Sequence, residues 1–304
     1  MYNENNLLFG SAEAARDSLR YIEGKKGSRQ RKSVIDSEFY MPEKRNSNPY
    51  DLPDSFETIH EPYIISGHKH IGILSDIHIP YHSISSLTLA IEYLKKRKID
   101  AVLLNGDIID ACQLSNFVKD PGARKFKDEL ESLKTFFDVL DKQLKCQIYF
   151  KLGNHEGRYE KFLFEKAKEL VGIDGIEFSD IIKAKERGIK MIPDKQVMKL
   201  NSLNGIHGHE YKGGISTPVN IARGLYLRGK VSAFQGHNHA SSSHTESDMN
   251  GKVTTTYSIG CLSELHPAYM PLNKWNAGFA ETFLDENGKD FEFLNHTIYK
   301  NKVY

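Results

Sequence analysis

From residue 63 onward, short apolar runs of strand length alternate with longer amphipathic segments, which is the rhythm of an α/β protein. The apolar runs predict strands over 70–75, 101–105, 147–152, 205–206, 231–235 and 253–258. Apolar positions at helical spacing predict helices over 84–97, 126–144, 158–170 and 218–227, the last with Ser216 or Thr217 as its cap and Pro218 in its first turn. Near the end, 279–284 and 290–299 flank Asp285-Glu286-Asn287-Gly288 and read as an antiparallel hairpin turned at Asn-Gly. That acidic turn lacks the spaced ligands and the distal glutamate of a calcium loop.

Residues 1–62 have another texture, polar and with little strand patterning. Ala15, Leu19 and Ile22 share one face of a predicted short helix over 11–22, which Gly24 ends. Arg16, Arg20, Lys25, Lys26, Arg29, Arg31 and Lys32 form a basic cluster, and Pro42, Pro49, Pro53 and Pro62 give the rest a linker character. The expected organisation is a basic, partly helical N-terminal extension over 1–62 and one main domain over 63–304. The extension reads either as a solvated arm or as a nucleic-acid contact through residues 16–32. Aromatic residues are not interleaved with these cations, so no base-stacking platform is indicated there.

Composition narrows the classes. A chain of 304 residues with 39% hydrophobic and 27% charged residues is a folded protein and not a disordered one. Lys+Arg 41 against Asp+Glu 40 leaves a net charge of +1, so any nucleic-acid surface must be local. No apolar run approaches the roughly 18 residues of a membrane span. The first ten residues lack the basic start and apolar stretch of a secretory signal, so a cytoplasmic location without membrane association is expected. Cys112, Cys146 and Cys261 are odd in number and have no CxxC spacing, which argues against a disulfide framework or a thiolate zinc site. No pattern in the sequence fixes an oligomeric state.

Candidate chemistry gathers where the predicted strands end. Asp76-Ile77-His78, Gly106-Asp107-Ile108-Ile109-Asp110, Gly153-Asn154-His155-Glu156, His207-Gly208-His209 and Gly236-His237-Asn238-His239 each follow an apolar run. In open α/β sheets the carboxyl ends of the strands share an edge, so five distant segments can meet in one crevice. Asp, His and Asn offer oxygen and imidazole nitrogen, a set suited to Mn, Fe or Zn and not to an all-oxygen calcium site. One catalytic zinc needs about three protein ligands; this constellation offers more, and two cations fit it better. Two cations about 3.5 to 4 Å apart can share a carboxylate and can bind and deprotonate a water between them. Asp107 is the candidate for the shared carboxylate.

Taken in order, these blocks resemble those of the calcineurin-like metallophosphoesterase superfamily, D-x-H, G-D-x-x-D, G-N-H-[DE], H-G-H and G-H-x-H, over about residues 68–284. The likeness extends to stand-alone phosphoesterases of bacteria and their phages, which would place the chain in a host cytoplasm. It implies two packed mixed β-sheets flanked by helices, a four-layer sandwich, around two divalent metal ions, Mn foremost. By the same resemblance Asp76, His78 and His239 would hold one metal and Asn154, His207 and His237 the other, with Asp107 bridging. His155 would meet the leaving group as a non-ligand, and Asp110 would orient it. The chain departs from the family pattern at Ala111-Cys112, where the protein serine/threonine phosphatases carry a phosphate-gripping arginine. Arg158 is the candidate substitute anion contact, with a surface salt bridge as its plainer reading, and His209 is expected to be a substrate or outer contact. Cleft-lining residues are expected at 260–263, and backbone phosphate contacts or a plain turn at 212–214.

The expected activity is metal-dependent hydrolysis of a phosphoester by a metal-bridged hydroxide, a phosphodiesterase directed at a nucleotide or nucleic acid. A phosphomonoesterase on a small molecule is the second reading, and a metal-stabilised binding module without turnover the third.

Overall fold

In the computed structural model, residues 50–53, 61–116, 125–211 and 219–304 are described. The chain divides into two units, Met1–Ile64 and Ile65–Tyr304. Of the first, the described part has exposed Tyr50 and Leu52 and a two-residue strand, Tyr63–Ile64. The basic cluster at 16–32 and the helix expected over 11–22 lie outside the described residues.

The second unit begins with β1 (His70–Leu74), α1 (Ile84–Arg97), β2 (Ala101–Asn105), α2 (Phe126–Leu144), β3 (Gln147–Lys151), α3 (Gly157–Lys166), α4 (Phe178–Ile181) and β4 (Lys190–Ile192). It continues with β5 (Met198–Leu200), β6 (Leu203–Gly205), α5 (Ile221–Gly229), β7 (Ala233–Gln235), β8 (Ser242–Ser247) and β9 (Val253–Ser258), then β10 (Ala277–Leu284), β11 (Phe291–Tyr299) and β12 (Lys302–Val303).

Strands β1 to β4 pair in parallel, and an antiparallel meander extends their sheet in the order β12-β11-β10-β1-β2-β3-β4. All five residues of β2 are buried, as expected for a parallel strand covered on both faces. Leu87, Ala90, Ile91 and Leu94 of α1, and Leu133, Phe136, Phe137 and Leu140 of α2, are buried at the helical period and form one core with this sheet. The second sheet includes the order β5-β6-β7-β9-β8, with β7 parallel to both β6 and β9.

Alternation along β7 sets the remaining layers. Ala233 packs with Leu225 of α5, whereas the neighbouring Phe234 points the other way and stacks on Phe293 of the first sheet at 5.5 Å. Asn295 of β11 donates to the carbonyl of Ser258 at 2.8 Å across the same interface. The order is helices, sheet, sheet, helix, the expected sandwich. Among the described residues no helix is long and apolar enough to cross a membrane.

Helices α1 and α2 and strands β2 and β9 occupy the expected residues. The helix expected over 158–170 breaks at Ala167, where φ is −146° and ψ 41°, and resumes as a 3₁₀ turn, Lys168–Leu170. The helix expected from Pro218 begins at Ile221 instead, because Asn220 accepts the Arg223 N–H at 2.9 Å and serves as its cap. Residues 216–218 are outside the described set. Asn287 accepts the Lys289 N–H at the hairpin turn, and Gly288, with φ of +74°, takes its left-handed position.

Candidate metal centre

Five motif segments leave the carboxyl ends of β1, β2 and β3 in one sheet and of β6 and β7 in the other. The crevice therefore lies between two sheets and not along the edge of a single open one. Asp76, His78, Asp107, His237 and His239 all turn out of their strands with φ between +52° and +65°. Such backbone is costly for residues with a Cβ and persists where the surroundings fix it. Here the loops hold one another: His78 N–H donates to Asp107 O at 2.9 Å, Ile79 to Ile108 O at 2.8 Å and Gly236 to His207 O at 2.8 Å. Gly153 serves this packing through the absence of a side chain and not through a sharp turn. A Cβ there would collide with Asp107 Oδ1, and one on Gly236 would collide with Ser75 Oγ and Asp76 Oδ2.

Candidate ligand atoms of Asp76, His78 and His239 lie within 4.8 Å of one another, as do those of Asp107, His207 and His237. In the first group, His239 Nε2 is 3.3 Å from Asp76 Oδ1 and 3.1 Å from His78 Nε2. In the second, His207 Nε2 is 3.2 Å from Asp107 Oδ2, and the same oxygen lies 3.9 Å from His78 Nε2. Asp107 thus stands between the groups.

The donor set fits divalent cations on two further counts. His207 Nδ1 is 2.7 Å from Asn105 O, which can only accept, so Nδ1 keeps a proton and Nε2 is the atom that faces the cluster. Among the described residues, His207 Nε2, His237 Nδ1 and Asn154 Oδ1 are also buried without a hydrogen-bond partner, a state that native interiors avoid unless another partner is intended.

Charge in the cluster is strongly coupled. Burial raises the Asp76 carboxyl, but hydrogen bonding and charge from His239 outweigh it and hold the pKa at about 2. Asp107 is likewise driven well below the carboxylate range, His207 and His155 overcoming its burial. Burial lowers His207 and His239, yet Asp107 lifts the first and Asp76 the second to about 10. Burial and the His207 charge depress His237 to about 4. Cation ligation requires unprotonated rings, so cation binding to this set is linked to proton release.

His78, Asp110 and His155 form a third group. Asp110 meets His155 through its backbone oxygen as well as its carboxylate. His155 Nδ1 donates to the Asp110 backbone oxygen at 2.8 Å, while Asp110 Oδ1 accepts from His78 Nδ1 at 3.1 Å and lies 3.3 Å from His155 Nδ1. Among the described residues Arg158 pairs with no carboxylate: Nη1 donates to Asp110 O at 2.7 Å, and Nη2 meets His155 Nε2 at 3.0 Å. A guanidinium only donates, so that contact requires a bare Nε2. Burial lowers the pKa of His155, and Asp107 and Asp110 more than offset it. Proton and guanidinium therefore compete for one nitrogen. His209 stands outside the two groups, its Nε2 2.6 Å from Asp194 Oδ1 and its ring 5.3 Å from that of His207.

Several supporting residues were not foreseen. Glu156, 2% exposed, accepts the N–H groups of Asp107, Ile108, Ile109 and Gly153 at 2.8 to 3.2 Å. It thereby ties the loops after β2 and β3 together. Glu129 of α2 accepts the Ala111 N–H at 2.8 Å, and burial pushes its carboxyl up to about 7. Glu210 receives the His207 and Gly208 N–H groups and pairs with buried Lys151 at 3.2 Å. A signal for Glu129 and Lys151 was available, since each places a charge in an otherwise apolar helix face or strand. The isosteric Glu156→Gln would turn an amide NH₂ toward backbone donors and is expected to cost about 1–3 kcal/mol of folding stability. Urea unfolding of the two proteins checks this; a loss below about 0.5 kcal/mol, within the range of ordinary surface changes, would count against the role.

A model of the calcineurin-like phosphoesterase family matches residues 69–248. The Gene 54 protein of Mycobacterium phage L5 is 26% identical over 231 residues, covering 71% of this chain and 89% of its own. Among solved structures, Vps29 complexed with zinc from Entamoeba histolytica has a TM-score of 0.40 at 14% identity, covering 77% of this chain and 96% of its own. A dimetal phosphatase from Danio rerio has a TM-score of 0.37 at 13% identity, covering 72% and 93%.

Proposed function

Because the chain belongs to the calcineurin-like phosphoesterase family, we propose that it hydrolyses phosphodiesters at a centre of two divalent metal ions, Mn foremost, with Fe and Zn as alternatives. The observation that carries this reading is the pair of ligand groups joined through Asp107. Asp76, His78 and His239 would hold one ion and Asn154, His207 and His237 the other, with Asp107 shared. Bound there, the ions would supply neutralisation of the phosphoryl oxygens and a water acidified toward neutrality.

The side chains complete the chemistry. Glu156 and Glu129 fix the loop that carries Asp107 and Asp110. His155 holds its Nδ1 proton on Asp110 O, leaving Nε2 as the atom through which a proton passes to the departing oxygen. Arg158, in contact with that nitrogen, would exchange it for a phosphoryl oxygen once substrate arrives, freeing Nε2 for its proton. Arg158 adds a positive charge beside the cluster, where the phosphoryl anion of the substrate would lie. His209, held by Asp194, is assigned to the outer edge of the site. Similarity to a phage protein supports action in a host cytoplasm.

Protein depleted of metal and reloaded with Mn is expected to hydrolyse bis-p-nitrophenyl phosphate with kcat/KM about tenfold or more above p-nitrophenyl phosphate. A preference for the monoester would transfer the assignment to phosphomonoesters. No turnover of a broad phosphoester panel with two ions bound would make the chain a binding module.

A further inference from the structure

The segment after β9 carries a group of aromatic and apolar side chains whose exposure no core requirement explains. Tyr269 is 76% exposed and Leu272 93%. The indole of Trp275 packs edge-on against the ring of His239, with centroids 4.2 Å apart, and the ring of Tyr269 stands 6.4 Å from the indole. An arc of aromatic surface thus runs outward from a candidate ligand histidine.

The loop that carries it is fastened by side-chain amides. Asn273 accepts the Trp275 N–H at 2.9 Å and donates to Leu265 O and Met270 O at 2.6 and 2.9 Å. Asn276 fastens the end of the loop to the ligand segment: its N–H donates to His239 O at 2.9 Å, and its Oδ1 accepts the Ser241 N–H at 2.7 Å. A loop tied by its own amides that sets a partly exposed indole and an exposed phenol ring beside a polar centre suits something flat and apolar bound to something anionic.

We propose that Trp275 and Tyr269 form the stacking wall of a subsite for a planar unsaturated ring carried by the phosphoester, so that the substrates are phosphoesters bearing a nucleobase. This rests on the hydrolase reading and narrows it. Every base offers a π-face, so the wall confers preference for the ring class and little discrimination among bases. The indole is partly exposed beside His239, and the exposed ring of Tyr269 extends the surface outward.

The test compares a dinucleoside monophosphate with glycerophosphoglycerol, two diesters with alkoxide leaving groups of which only the first has rings. In Tyr269→Ala and Trp275→Leu, the ratio of kcat/KM for the two is expected to fall about tenfold, mainly through KM of the dinucleotide. An equal fall for both diesters would show a merely structural role and overturn the proposal, as would an unchanged ratio. A second readout needs no turnover, because Trp275 is the only tryptophan of the chain. In the Zn-loaded protein, thymidine 5′-monophosphate is expected to quench its fluorescence saturably, whereas glycerol phosphate leaves it unchanged. Absence of quenching overturns the subsite. If neither diester is hydrolysed, the hydrolase reading fails while the fluorescence titration still decides the ring-binding inference.

Discussion

Asp107→Ala is expected to reduce turnover about 10³-fold or more and to lower the bound metal well below two ions per chain. The magnitude follows from position. Its Oδ2 lies within reach of both His207 Nε2 and His78 Nε2, and its Oδ1 accepts the His155 N–H at 2.9 Å. Removing it would take the proposed shared carboxylate from between the ligand groups, and takes an anchor from the loop after β3. Electrostatic stabilisation by a bound cation is worth several kcal/mol in the transition state, and every 1.36 kcal/mol is a factor of ten. Elemental analysis beside steady-state kinetics checks both parts. Retention of two ions by the variant would remove Asp107 as the bridge.

His155→Ala is expected to separate binding from chemistry, with two metal ions retained and kcat lowered by about 10²- to 10⁴-fold, the usual worth of a general acid. His155 is one residue from Asn154, yet its Nδ1 is engaged by Asp110 O and its Nε2 by Arg158, and neither nitrogen belongs to the two groups joined through Asp107. The separation sharpens with leaving-group quality. A p-nitrophenolate departs without protonation, so the deficit of the variant should shrink on activated esters and widen on alkyl esters. Loss of metal from this variant would show that the ring is a ligand.

Much of this architecture could be read from the chain, and the exceptions have physical causes. Segments buried on one helical stripe, such as Leu133, Phe136, Phe137 and Leu140, announce their element by spacing alone. Strand β8, Ser242–Ser247, has no such signal. Its residues are polar throughout, and it is a strand because the Val253–Ser258 backbone pairs with it residue by residue. Strand β4 is three residues long, too short to display a period. The motif residues were legible because each follows an apolar run that ends abruptly. Glu156, by contrast, is an acid at the start of a helix, where exposed carboxylates are common. Only coordinates show that four backbone N–H groups converge on it. Arg158 was legible as a cation near the site but not as a partner of His155, since a contact between side chains three apart depends on the helix beginning at Gly157.

The partition of the centre between two sheets bears on synthesis as well as on catalysis. Asp76 and the His237 N–H that it accepts are 161 residues apart. A nascent or proteolytically clipped chain that ends before β6 would contain Asp76, His78, Asp107 and Asn154, but none of the three histidines that the second sheet contributes. Such a fragment has the acids without most of the imidazoles and no opposing wall, so hydrolytic capacity should arrive in a single step, late in translation, with no partially competent precursor.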